Sequence, residues 1–124
     1  MDNLEFNKKR KTYFKNLRHE YRDNLRKIGL SPDEHLERVD FNHLPFFMDK
    51  KPILFLKNVT KFYDKLDPLE KLIFVNEYLE KGRHGDFWWL YYFRKEDFKR
   101  VVIYVGTMFM DEFGGDHYDV LYKA

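Results

Sequence analysis

Phe14, Leu17, Tyr21, Leu25 and Ile28 recur at steps of three and four, so a helix over residues 8–29 gathers them on one face and stops at Gly29. A chain that opens with such a stripe must supply further apolar faces to cover it, and that requirement organises everything downstream. Lys11, Lys15, Arg18, Arg22 and Arg26 repeat with the same period. At about 100° per residue this basic row is centred roughly a quarter-turn from the apolar one, at the rim of the buried face and open to a partner.

The covering faces are legible further on. Ser31-Pro32-Asp33-Glu34 reads as a cap, a first-turn proline and two acids opening a short helix with Leu36 and Val39. Residues 40–51 hold one proline, Pro45, and no sustained period; with Phe41, Leu44, Phe46, Phe47 and Met48 they read as an ordered linker. Pro52 suits the first turn of a helix carrying Ile53, Leu56, Val59, Phe62, Tyr63 and Leu66. Asp67-Pro68-Leu69-Glu70 is the clearest local signal, because Asp caps, Pro fits the first helical position and Glu70 stands three after the cap to close a capping box. That helix carries Leu69, Leu72, Ile73, Asn76 and Leu79 and stops at Gly82.

Asp86 can cap a short aromatic helix through Phe87, Trp88, Trp89, Leu90, Tyr91, Tyr92 and Phe93, wedged between its neighbours with one tryptophan half-exposed. After the polar break at residues 94–97 a last helix presents Phe98, Val101, Val102, Val105, Phe109 and Phe113 and ends at Gly114-Gly115. The competing structure is a hairpin through Gly114-Gly115 into residues 117–122, because residues 101–105 favour strand and Gly106 weakens a helix by roughly 1 kcal/mol relative to alanine. With room for a methyl group, Gly106→Ala is expected to stabilise the helix. The expectation is a single all-α domain of about five helices spanning residues 1–124, with residues 116–124 as a tail; an α+β arrangement with a C-terminal hairpin is the alternative.

Composition removes several functions. The chain has no cysteine, which excludes disulfides and thiolate chemistry, and one serine with three threonines leaves almost no hydroxyl nucleophile. Five histidines show no helix-face ligand spacing and read as scattered on the surface. Residues 82–85 hold two glycines without the length or lysine of a phosphate loop. The expectations are no enzyme, no metal or cofactor, no small-molecule substrate and no membrane span, in a soluble cytoplasmic protein. The net charge of +2 hides segregation: residues 7–27 carry nine basic against two acidic side chains, whereas residues 31–49 carry five acidic against one basic.

The run Leu66 to Phe74 followed by Glu77-Tyr78-Leu79, then Trp88-Trp89 and Tyr92 to Arg100, resembles small phage and mollicute regulators with a helix-turn-helix like that of the fourth region of sigma factors, the ArpU-like regulators among them. The resemblance covers about half the chain. Phe98 and Arg100 match the pattern, while Arg94 or Lys95 stands where the family has a Ser or Thr cap. It implies a helix-turn-helix over residues 52–115 and a transcriptional regulator acting on DNA or RNA polymerase; phosphate anchoring would then fall to the basic row of the first helix, Lys11, Lys15, Arg18, Arg22 and Arg26, and groove entry to Lys95, Lys99 and Arg100. The last helix's outward face would also show Ile103 and Met110, which suit a protein partner. An interaction module without nucleic acid (adaptor, inhibitor or homodimer) is the second reading, and whether the two basic rows share one side of the domain separates them.

Overall fold

The computed structural model describes residues 3–44, 49–114 and 118–124, with the side chain of Asn3 excepted. Among them the chain is all-α, with helices α1 (Asn3–Lys27), α2 (Lys50–Asp64), α3 (Pro68–Ile73) and α4 (Lys95–Phe113). Short 3₁₀ turns stand at Leu36–Arg38, Phe41–His43, Trp88–Tyr91 and Asp119–Tyr122, and a π turn, Phe74–Leu79, continues α3.

Helix α1 buries the stripe read from the sequence, extended by Tyr13. It ends as predicted: Gly29 takes φ of +83°, its N–H reaches the Arg26 carbonyl at 3.0 Å and the Leu30 N–H reaches the Leu25 carbonyl at 2.9 Å. This is a Schellman closure, which a residue with a Cβ enters only under strain. Helix α2 starts at a cap not anticipated, the Lys51 N–H bonding to Asp49 Oδ1 at 3.0 Å. Helix α3 has the full capping box, with 2.8 Å from the Glu70 N–H to Asp67 Oδ1 and 2.9 Å from the Asp67 N–H to Glu70 Oε1.

Past Ile73 the ladder widens to the i→i+5 pattern, and the Glu80 N–H still bonds to the Val75 carbonyl at 2.7 Å. The inward face there consists of Ile73, Phe74, Val75, Tyr78 and Leu79, while Leu69 is exposed. A stripe drawn with one period from Leu69 therefore misses Phe74 and Tyr78.

The core is built of rings. Phe109 of α4 sits 4.9 Å from Phe62, 5.6 Å from both Phe14 and Phe74, and 4.7 Å from Phe113, joining α1, α2, the π turn and α4 around one side chain. The segment 118–124, expected as a tail, docks against α1 and α2. Leu121 is buried, Asn58 Nδ2 donates to the carbonyls of Leu121 and Lys123 at 2.8 and 2.9 Å, and the Tyr122 hydroxyl bonds to Glu20 Oε2 at 2.6 Å.

Several expectations are corrected. The aromatic segment is a single 3₁₀ turn, not a wedged helix: Phe87 stands at its cap position with no side-chain bond, the Leu90 N–H bonds to the Phe87 carbonyl at 3.2 Å, and the N–H groups of Tyr92 and Phe93 both close on the Trp89 carbonyl. Both tryptophans are half-buried, packed on Phe98. The short helix after Ser31 is reduced to one 3₁₀ turn capped by His35. Helix prevails over strand for residues 95–113, which stop at Gly114 with φ of +84°. The rest of the proposed hairpin turn, residues 115–117, lies outside the described residues, as do residues 45–48 of the linker.

Gly106 is in a helix interior but has no room. A Cβ there would stand 2.5 Å from the Tyr78 hydroxyl and 2.9 Å from Arg10 Cδ.

Two stability predictions follow from these contacts. Asp67→Ala should cost about 0.5–2 kcal/mol in denaturant titration with helical circular dichroism retained. Gly106→Ala should destabilise by about 1–3 kcal/mol, because overpacking against Tyr78 and Arg10 exceeds the propensity gain of about 1 kcal/mol.

Candidate nucleic-acid interface

A concavity of about 670 Å³ lies between α1, the π turn and the N-terminal half of α4. Helix α1 lines it with Arg10, Lys11, Lys15 and Arg18, the π turn and the residues after it with Glu77, Tyr78 and Lys81, and α4 with Phe98, Lys99, Val102 and Ile103. Among the described residues, six cationic side chains thus face one carboxylate.

Its floor is a buried polar junction. Arg10 is 7% exposed and its Nη1 donates to the Tyr78 hydroxyl at 2.8 Å, while that hydroxyl donates to the Val102 carbonyl of α4. Arg10 Nε finds no acceptor among the described residues. Arg18 Nη1 donates to the Tyr78 carbonyl at 3.1 Å, filling an acceptor that the end of the π turn leaves open. Burial holds the Arg18 guanidinium below its usual range, with Glu77 acting in the opposite sense. Burial likewise pushes the Tyr78 phenol up to about 12, against the pull of Arg10.

Of the residues singled out from the sequence, the fold brings Lys11, Lys15, Arg18, Lys99 and Ile103 into this groove. The others stand elsewhere. Arg22 lies 3.5 Å from Asp33, Arg26 bonds to Asp23 at 2.8 Å, and Arg100 bonds to Asp97 one turn before it. Lys95 is exposed at the start of α4 without lining the groove. Ile103 is 38% exposed, as its proposed outward placement requires, but Met110 is only 8% exposed and belongs to the core. Its position is corrected for a physical reason: α4 is covered on two sides over its second half, so the outward face there narrows.

Arg10 and Lys81 were missed. The signal for Arg10 was present, because it stands four before Phe14 and seven before Leu17, on the buried stripe itself.

Two histidines converge where the sequence showed only scatter. His84 Nε2 lies 3.0 Å and Arg83 Nη1 3.3 Å from Glu80 Oε1, with His35 Nε2 at 3.8 Å from Oε2 of the same buried carboxylate. No group that could hold a metal ion occurs among the described residues, and no helix there is long and apolar enough to cross a membrane.

Tyr78→Phe should destabilise the domain by about 1–3 kcal/mol, since it strips Arg10 of its acceptor. Combined with Gly106→Ala, the loss measured by denaturant titration should fall short of the sum of the two, because the removed hydroxyl is the nearest atom to the added methyl group.

Comparisons of the chain with protein-family models, with curated proteins and with solved structures give no match.

Proposed function

We propose that this chain is a small nucleic-acid-binding regulator that holds phosphates in the groove between α1 and α4. The observation that carries the reading is that lysines distant in sequence line one concavity: Lys11 and Lys15 from α1, Lys81 from beyond the π turn and Lys99 from α4. None of these four lysines has a partner in a hydrogen bond or ion pair within the described fold, so their charge is available to an external polyanion. The acidic side chains at the end of α4 lie apart from it, with Glu112 bonded to Lys65 at 2.5 Å.

A transcriptional role on DNA or with RNA polymerase, and the finer helix-turn-helix form of it, rest on the resemblance of the second half to phage and mollicute regulators. Exposed Lys95, Lys99 and Arg100 at the start of α4 support that form. The segment joining the π turn to α4 runs over residues 80–94, longer than the three or four residues typical of such turns.

A second reading, a protein-interaction module or homodimer, is favoured by exposed Leu90, Tyr91, Ile103 and Tyr104.

Salt-dependent titration with labelled nucleic acid separates the two. Binding should weaken linearly on a log–log plot against salt, and Lys15→Ala, Lys81→Ala and Lys99→Ala together should flatten the slope by about 2–3, at about 0.7–0.9 per neutralised phosphate. Absence of binding to any nucleic acid near 50 mM salt, with folded protein, leaves the interaction module as the reading.

A further inference from the structure

We infer that the occupant of the groove is a single strand, its phosphates on the lysines and its bases stacked on the exposed rings of the segment 87–92; this rests on the nucleic-acid reading above and specifies it.

The first observation is shape. Reading a duplex base edge needs an element that projects into a major groove about 12 Å wide. The side of α4 that carries Lys99 and Ile103 instead looks into a concavity walled by α1. A flexible strand can enter such a groove, whereas a duplex would rest on its rim.

The second observation is the aromatic segment itself. Phe87 is 68%, Tyr91 95% and Tyr92 52% exposed, an unusual density of hydrated rings over so few residues. The segment is nevertheless held firmly to the groove. Trp89 stacks on the groove-lining Phe98 with ring centres 4.6 Å apart, and Trp88 Nε1 donates to groove-lining Glu77 at 2.8 Å. Tyr92 lies 6.3 Å from Trp88 and Phe87 6.4 Å from Trp89. The tryptophans therefore anchor the segment beside the groove-lining Phe98 and Glu77, leaving the flanking rings exposed. A positively charged track next to exposed aromatic faces is what a single strand of any sequence binds, because every base offers a π-face.

The third observation is what the groove lacks. Helix α4 has no Asn or Gln, and among the described residues Asn7 is the one side-chain amide lining the groove. Hydrogen-bond readout of adenine has little to work with, whereas stacking needs none.

The test uses the intact protein with a labelled oligothymidylate and a mixed-sequence duplex of equal length, titrated near 50 mM salt. The single strand should bind about tenfold or more tighter, and should quench the fluorescence of Trp88 and Trp89, the chain's two tryptophans. Tyr91→Ala and Tyr92→Ala, both at exposed positions, should each weaken single-strand binding about 5- to 150-fold with the salt slope unchanged. Lys15→Ala and Lys99→Ala should each reduce that slope by about 0.7. Duplex binding equal to or tighter than single-strand binding overturns this inference and leaves the nucleic-acid reading standing; binding of neither overturns both. A single-strand preference unaffected by both tyrosine substitutions overturns the stacking platform.

Discussion

The Tyr78 phenol is the contact from which the geometry of this protein follows. It lies on the π turn, its ring 4.0 Å from Phe14 of α1, and its hydroxyl spans the gap between Arg10 and the Val102 carbonyl of α4. Its own carbonyl holds Arg18. One residue thus fixes the separation of α1 and α4 through polar contacts made in a buried setting, where geometry is tightly specified. The glycine at 106 is the complement of that arrangement, because a side chain there would occupy the place of the hydroxyl. The groove exists because the two helices are spaced by a phenol and not closed on one another.

Features written in consecutive residues were legible in the sequence. The capping box at Asp67 and Glu70, the helix stop at Gly29 and the apolar stripe of α1 each depend on local spacing, and each forms as read. Features set by tertiary packing were not. The widening of the ladder at Phe74 turns Phe74 and Tyr78 inward, and no local residue announces it. The run from Phe87 to Tyr92 has the apolar content of a core helix, yet only one turn forms and most of its rings face water. Gly106 reads as a weak point in a helix until its distance to Tyr78 is known.

The candidate site divides the same way. A cationic face on α1 is a periodic pattern, and Lys11, Lys15 and Arg18 were found by it. The period could not say which of those charges the protein itself neutralises, and Arg22, Arg26 and Arg100 proved to be matched by Asp33, Asp23 and Asp97. Nor could it show that Lys81, beyond the π turn, and Lys99 would line the same groove. The sharing of one groove by residues from the first helix and the last is a property of the fold.

The division between arginine and lysine in that groove carries an evolutionary consequence. Arg10 and Arg18 have forked, planar heads engaged with Tyr78, and the shape of the cavity hangs on them. Lys11, Lys15, Lys81 and Lys99 line the same groove as point charges with no side-chain partner among the described residues. Scaffold and charge are therefore carried by different side chains. A descendant of this sequence could gain or shed lysines one at a time, grading its attraction for anions, while drift at either arginine would threaten the architecture. Reversible acylation of the lysines would turn the same dial within the lifetime of a single molecule.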